Sequence, residues 1–282
     1  MPAPEPTIRN ISDTARWAAF FRAQETKRQD ALFRDPFAAR LAGERGAEAA
    51  RRMGGGDWAW AARTYLFDQI ILRCVAEGTD AVVNLAAGMD ARPYRMSLPA
   101  SLRWVEVDLP EILSEKEQLL ANEKPVCQLE RVNLDLADVE GRRALFGRIS
   151  SQATKVLAIT EGLLLYLTQD QVAGLAHDLA APLSFQDWAV DLASPGLLKM
   201  LQEKLVREAH AAAPMHFAPP EGPLFFEPFG WKPVEVYSLF KTAVQKGRIG
   251  FPMRLLALLP ESKGRQGKRP WGGVCRLQGK DP

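Results

Sequence analysis

The sequence predicts an α/β fold with a doubly wound, mostly parallel sheet, an N-terminal helical cap and a C-terminal lid insert. Three observations predict it. Short apolar runs alternate with helical segments between residues 81 and 192. The run Val156–Thr160 has no charged residue, as expected of a strand that is buried on both faces. The first eighty residues have helical patterns and no strand candidate.

The cap is predicted over residues 1–80 and contains helices. Its first helix has Trp17, Phe20 and Phe21 on one side, at the spacing of an apolar helix face. Its last helix is long and amphipathic, and it ends before Gly78, a residue typical of a helix C-terminus. The expected helices cover 14–27, 36–50 and 57–77.

The core is predicted over residues 81–282 and begins with five parallel strands. Parallel strands need crossover connections, and helical segments occur between the apolar runs. Pro93 suits the first turn of one of these helices, because its missing N–H is not needed there. The strands are expected over 81–85, 104–107, 126–132, 156–160 and 186–192. Longer helices are expected over 111–122 and 169–180.

The alternation stops after residue 195. A helix is expected over 197–212, followed by a stretch rich in Pro and Phe over 214–228, whose composition suits a lid or a substrate wall. The lid insert is therefore placed at about 195–230. A last strand is expected over 271–277, at the edge of the sheet.

The composition excludes several classes of protein. The 36 basic and 34 acidic side chains nearly balance, so the chain lacks the charge of an electrostatic nucleic-acid binder. A 47% apolar content excludes a disordered chain. The N-terminus has no signal-peptide pattern and no apolar run reaches the length of a membrane span. We expect a cytoplasmic protein without a membrane or nucleic-acid partner, and the sequence does not indicate its oligomeric state.

Cysteine and histidine positions give no sign of a metal. The three cysteines and three histidines are far apart and form no ligand spacing. We therefore expect neither a metal site nor a disulfide framework.

The candidate binding site lies where the predicted strands end, because ligands of open α/β sheets bind at the carboxyl ends of the strands. Gly88 follows the first strand and lets a ligand approach the backbone. Asp108 ends the second strand 20 residues later, which is the spacing of a carboxylate that holds ribose hydroxyls. Asp135 and Glu161 follow the third and fourth strands. This set predicts a nucleoside cofactor.

The turn after the first strand argues against a dinucleotide. It reads AAGMDA from residue 86 and lacks two of the three glycines of the dinucleotide fingerprint. Asp90 would place a negative charge where phosphates bind. S-adenosylmethionine has no phosphate, and its sulfonium and amine suit carboxylates. Its own carboxylate needs a cation, for which Arg63 is the candidate.

Four motifs occur in order along the chain. They read LFRDP from Leu32, VVNLAAGMDARPYR from Val82, WVEVDLP from Trp104 and TEGLLLY from Thr160. Together they resemble the leucine carboxyl methyltransferase family, and more closely its bacterial branch of small-molecule O-methyltransferases. The resemblance covers about residues 12–192. It implies a class I, Rossmann-like methyltransferase fold with S-adenosylmethionine at the strand ends.

The resemblance also implies roles for individual residues. Arg63 would hold the methionine carboxylate, Glu161 would face the methionine amine, and Asp108 would hold the ribose. Further cofactor contacts along the methionine and adenine parts are implied for Ala87, Gly88, Leu109, Asp135 and Leu136. On the substrate side the candidates are Arg16, Arg22 and Tyr166. Ala86 is a departure, because the family usually has a glycine there.

The predicted reaction is O-methylation of a carboxyl or hydroxyl group on a small molecule. A carboxylate is already ionised at neutral pH, whereas a hydroxyl would profit from a general base, for which His177 and His216 are the candidates. An aromatic-rich stretch favours an apolar or aromatic acceptor. Its members are Phe217, Phe225, Phe226, Phe229 and Trp231.

Two alternative functions stay open at the level of sequence. One is carboxyl methylation of a protein C-terminus, which a flat, open and basic face would favour. The other is a non-catalytic adenosyl-binding module, which would bind S-adenosylhomocysteine without turnover. The sequence does not name the acceptor.

Overall fold

The structure, a computed structural model, describes residues 11–53, 56–207, 214–260 and 269–279. Its strands are β1 (Ala81–Leu85), β2 (Arg103–Asp108), β3 (Gln128–Asn133), β4 (Val156–Thr160), β5 (Phe185–Ala193), β6 (Lys232–Ser238) and β7 (Gly272–Gln278). Its helices are α1 (Ile11–Thr26), α2 (Ala38–Met53), α3 (Asp57–Ala76), α4 (Arg92–Arg95), α5 (Pro110–Leu119), α6 (Val139–Ser150), α7 (Gln169–Ala180), α8 (Pro195–Arg207) and α9 (Leu239–Gln245). Short 3₁₀ helices cover Leu164–Tyr166, Gly222–Phe229 and Met253–Leu258.

The strands form one seven-stranded sheet in the order β3-β2-β1-β4-β5-β7-β6. Strands β1 to β5 pair in parallel, and β7 pairs antiparallel with both β5 and β6. The predicted doubly wound, mostly parallel sheet is confirmed. The direction of winding reverses between β1 and β4, and this point opens a cleft at the carboxyl ends of the strands.

The predicted edge position of the last strand is wrong. The strand itself is present as β7, but it lies between β5 and β6, and the edge belongs to β6. Strand β6 was not predicted, because it contains Pro233. A proline cannot donate a backbone hydrogen bond to the sheet, so it is tolerated at an edge strand and not in the centre.

Most other predicted elements are found close to their expected bounds. The strand bounds of β1 and β4 are those expected, and α7 matches the predicted helix. Two helices, α6 and α9, were not predicted. The helix expected over 197–212 is found as α8, and residues 208–212 of that prediction lie outside the described residues.

The two faces of the sheet are covered by separate apolar clusters. On one face, α3 buries Phe67, Ile70 and Ile71 against strand residues that include Val82 and Leu157. On the other face, α6 and α7 pack on the remaining strand side chains. The division at residue 80 stays a prediction, but α3, which lies on the cap side of it, contributes its buried face to the core. The lid insert at 195–230 likewise stays a prediction.

Within the described residues, no helix has both the length and the apolar character that crossing a membrane requires.

The turn between β1 and α4 has an unusual backbone. Ala86 has a φ of 55°, the left-handed region that favours glycine, and Gly88 has a φ of 48°. A Cβ at Gly88 would lie 3.0 Å from the Cβ of Ala15 on α1, so the turn and the first helix are in close contact. The turn therefore requires glycine at position 88 and tolerates alanine at 86 only with strain.

We expect Ala86→Gly to raise the free energy of unfolding by about 0.5–1 kcal/mol, because relief of the left-handed strain exceeds the entropy that glycine adds to the unfolded chain. Urea denaturation followed by circular dichroism measures this change. Ala87→Gly is the matched control, because Ala87 is not in the left-handed region and should gain nothing. An equal gain in both variants would contradict the assignment of strain to residue 86.

Candidate active site

A cavity of about 990 Å³ opens at the carboxyl ends of the strands. This volume is near the upper end of the range for small-molecule sites, so it has room for a second molecule beside a nucleoside cofactor. One end is formed by the turn after β1 and by the ends of β2, β4 and β5. Helices α1 and α3 cover that end with aromatic side chains, among them Trp17 and Trp60.

Asp108 presents a buried carboxylate to this end of the cavity. It is 7% exposed. Its Oδ2 accepts the Gly88 N–H at 2.6 Å, and its Oδ1 accepts the Leu109 N–H at 2.8 Å. Burial raises the pKa of Asp108, and the two N–H donors oppose that rise. Each carboxylate oxygen keeps a further lone pair, so the side chain is oriented and still able to accept from a ligand hydroxyl.

Arg63 projects from α3 and is held by two carboxylates. Its Nε donates to Glu161 Oε1 at 3.1 Å and its Nη1 donates to Asp191 Oδ2 at 3.1 Å. Its guanidinium lies 4.5 Å from the centre of the Trp60 ring. Burial lowers the pKa of Arg63, but Asp191 and Glu161 raise it by more, so the side chain stays cationic.

Glu161 connects this pair to a buried chain of alternating charges. Its Oε2 lies 2.8 Å from Arg92 Nη1, which also contacts Asp90 Oδ2 at 2.8 Å. Arg92 and Arg95 both donate to Asp68 at 2.7 Å. Burial opposes ionisation of Asp90, but the charges of Arg92 and its neighbours lower its pKa well below the usual range. These ion pairs give this end of the cavity a high density of buried charge.

The structure brings together seven of the predicted site residues in the cavity lining. These are Arg22, Arg63, Ala87, Gly88, Asp108, Glu161 and Tyr166. Arg22 is engaged there, since its Nε donates to Asp35 Oδ2 at 2.8 Å and its Nη2 donates to the Met89 carbonyl. Burial raises the pKa of Tyr166, so its phenol is protonated at neutral pH.

The other predicted site residues lie outside the cavity lining. Arg16 is buried in an ion pair with Glu115 of α5. Leu109 is 38% exposed, and the Asp135 carboxylate accepts the Ala137 N–H in an exposed turn. Leu136 is partly buried against the core.

The two histidines are also outside the lining. The side chain of His177 is 72% exposed on α7. His216 is exposed, and its backbone N–H donates to the Leu165 carbonyl at 2.8 Å.

Part of the cavity lining is an apolar wall. Of the aromatic stretch, Phe217 lines this wall, whereas Phe225, Phe226 and Trp231 are buried in the core cluster around Trp188. We call the following six residues the acceptor wall: Leu197, Met200, Leu201, Met215, Phe217 and Trp271.

Sequence reasoning missed Asp191 and the contact of Arg92 with Glu161. Asp191 lies near the carboxyl end of β5 and lines the cavity, so the rule that selected Asp108 and Glu161 would also have selected it. Arg92 follows the turn after β1, and only the tertiary structure shows that it contacts Glu161.

Fold and site together define the class of protein. The sheet order, the antiparallel β7 and a cavity at the switch point are those of a Rossmann-like class I methyltransferase. Two crystal structures share this fold. One is a DUF574 family protein of Streptomyces avermitilis (TM-score 0.57, 16% identity, 93% of this chain and 96% of that one). The other, of Thermobifida fusca, is described as a "putative methyltransferase" (TM-score 0.59, 17% identity, 94% of each chain).

The family follows from the sequence comparisons. The model of the leucine carboxyl methyltransferase family matches residues 15–180. A protein of Frankia alni is 34% identical over 83% of this chain and 87% of its own length. A protein of Mycobacteroides abscessus is 37% identical over 60% of this chain and 61% of its own length, which is under two thirds. Both are described as a "Putative S-adenosyl-L-methionine-dependent methyltransferase". The chain belongs to the leucine carboxyl methyltransferase family.

Proposed function

We propose that the protein is an S-adenosylmethionine-dependent O-methyltransferase that acts on a carboxyl or hydroxyl group of a small, apolar or aromatic molecule. The observation that carries this proposal is the continuous cavity, which joins a charged end at the strand termini to the acceptor wall. One chamber of this size accommodates a methyl donor and a methyl acceptor side by side.

The charged end fits S-adenosylmethionine. Asp108 supplies a buried, oriented acceptor for the ribose hydroxyls. Arg63 supplies a cation for the methionine carboxylate, and Glu161 an acceptor for its amine. The names of the relatives in Frankia and Mycobacteroides support the same cofactor. Phosphate-bearing cofactors fit less well, because Asp90 carries its negative charge into the turn after β1.

When bound, S-adenosylmethionine supplies a methyl carbon that its sulfonium has already activated. The protein would then have to position an acceptor oxygen next to that carbon and to exclude water. Trp17 and Trp60 cover the charged end, and Phe217 and Trp271 line the apolar end. Tyr166 lines the cavity and keeps its proton at neutral pH, so its O–H is available to donate a hydrogen bond.

The lining supports an acceptor that is already ionised. Neither His177 nor His216 lines the cavity, so among the described residues no histidine is placed to take a proton from a hydroxyl. A carboxylate needs no such base. The apolar wall also supports a small molecule over a polypeptide tail, for which a flat and basic face would be expected.

Transfer of labelled methyl groups tests this function. The protein is incubated with methyl-labelled S-adenosylmethionine and with matched apolar carboxylic acids, alcohols and phenols. We expect label in an organic product, and alkaline release of labelled methanol identifies an ester rather than an ether. Binding of S-adenosylhomocysteine without transfer to any of these acceptors would instead favour the non-catalytic module.

A charge in the acceptor wall should weaken acceptor binding selectively. We expect Met200→Lys to raise the KM of an apolar acceptor by about 10-fold, because the acceptor then loses apolar burial beside a charge. Met253→Lys is the matched control, since Met253 has a similar exposure of 50% against 46% and does not line the cavity. Affinity for S-adenosylhomocysteine should stay the same in both variants. Equal KM values in the two variants would contradict the assignment of the wall.

A further inference from the structure

We propose that Asp191 is a positioning residue that fixes the guanidinium of Arg63, so that its free edge faces the carboxylate of the cofactor. This inference rests on the proposed function and deepens it, because neither the sequence motifs nor the comparisons assign a role to Asp191. The inference is based on the side-chain contacts of Arg63 and Asp191 and on the position of Gly162.

Arg63 is restrained on three sides. Glu161 accepts from Nε, Asp191 accepts from Nη1, and the ring of Trp60 lies under the guanidinium plane. The remaining nitrogen, Nη2, donates to no acceptor among the described residues, and Arg63 lines the cavity. Nη2 is therefore the nitrogen that remains to donate to a ligand. Its direction is set by the two carboxylates that hold Nε and Nη1.

Asp191 also joins β5 to the turn that follows β4. Its Oδ1 accepts the Gly162 N–H at 2.8 Å while its Oδ2 holds Arg63. Gly162 has a φ of 70°, and a Cβ there would lie 3.3 Å from Arg63 Nη1. The turn therefore needs glycine both for its backbone and for the space that Arg63 occupies. One carboxylate thus fixes α3, β4 and β5 at a single point.

Asp191 and Glu161 differ in their other contacts, and this difference indicates that Asp191 is the carboxylate that fixes Arg63. Glu161 is shared with Arg92 and is the expected partner of the cofactor amine. Among the described residues, the side-chain hydrogen bonds of Asp191 are those with Arg63 and Gly162. The Asp191 charge therefore acts mainly on Arg63. Asp191 keeps the guanidinium in place when Glu161 also accepts hydrogen bonds from a ligand.

The test uses Asp191→Asn, which keeps the side-chain size and an oxygen for Gly162 but removes the charge that holds Arg63. We expect the KM for S-adenosylmethionine to rise by about 10- to 30-fold, because a charge-assisted hydrogen bond is lost. We expect kcat to change by less than about threefold, because Asp191 touches no reacting atom. Calorimetric titration gives the corresponding loss in affinity without turnover.

A second ligand separates positioning from general damage. Decarboxylated S-adenosylmethionine lacks the group that Arg63 would hold, so we expect it to bind Asp191→Asn and the unmodified protein equally. Asp178→Asn is the matched variant, because Asp178 is also a buried partner of arginines, Arg142 and Arg143, outside the cavity. It should reduce stability and leave the KM for S-adenosylmethionine unchanged.

Three outcomes would overturn the inference. In the first, Asp191→Asn binds S-adenosylmethionine as the unmodified protein does. In the second, it loses affinity for the decarboxylated ligand to the same extent, which would indicate a structural role. Either outcome leaves the proposed function standing. In the third, the unmodified protein binds neither S-adenosylmethionine nor S-adenosylhomocysteine, and the proposed function falls with the inference.

Discussion

Asp108→Ala is expected to lower the affinity for S-adenosylmethionine and S-adenosylhomocysteine by about 100-fold or more, because two hydrogen bonds from ribose hydroxyls to a charged group are worth roughly 3–6 kcal/mol together. The change also leaves the N–H groups of Gly88 and Leu109 without their present acceptor. Isothermal titration calorimetry of both ligands measures the loss, with circular dichroism to show that the variant is folded.

Two further variants test whether the loss of affinity is specific to the Asp108 carboxylate. Asp108→Asn keeps acceptor oxygen for one backbone N–H and loses the charge, so its affinity should fall between that of the alanine variant and that of the unmodified protein. Asp138→Ala removes the N-cap of α6, whose side chain accepts the Gly141 N–H, and it lies outside the cavity. It should bind both ligands normally. Binding by Asp108→Ala within threefold of the unmodified protein would contradict the placement of the cofactor.

Lys116→Met is expected to lower the free energy of unfolding by about 3 kcal/mol, the low end of the range for breaking a buried ion pair. Lys116 and Glu106 are both fully buried, and Nζ lies 2.7 Å from Oε1. Removal of the lysine leaves the Glu106 carboxylate with Arg131 alone, at 3.1 Å. Urea denaturation measures the change.

The double variant with Glu106→Gln separates the charge from the packing. It removes the unpaired carboxylate, so part of the lost stability should return despite the second substitution. A loss below about 1 kcal/mol in Lys116→Met, or a larger loss in the double variant, would mean that the pair contributes little and that methionine packs well in its place.

The parallel part of the fold could be predicted because its signals are local. Strands β1 and β4 are uncharged runs that are buried along their whole length, and their bounds were expected as found. Helix α6 escaped prediction because Gly141 and Gly147 interrupt its helical pattern. Strand β6 escaped because Pro233 argues against a strand unless the strand is known to lie at an edge, and edge position is a property of the whole sheet.

The site could be predicted where its residues follow a strand or belong to a family motif. Asp108 and Glu161 meet both criteria, and both line the cavity. The roles implied for Leu109, Asp135 and Leu136 stay predictions, and these residues lie outside the cavity lining. Which groups engage Arg63 depends on α3, β4 and β5 meeting in space. No spacing along the chain encodes this meeting, so the contact between Asp191 and Arg63 emerged only from the structure.

The position of β7 between β5 and β6 has a consequence for synthesis of the chain. Strands β1 to β5 are five of the seven strands, and without β7 the backbone groups along one edge of β5 have no partner in the sheet. The partner of that edge begins only at Gly272, after β6 and α9. An unpaired strand edge is a template for association with other chains, and such long-range pairing forms slowly. Until β7 has been synthesised, we therefore expect the free edge of β5 to be open to pairing with other chains.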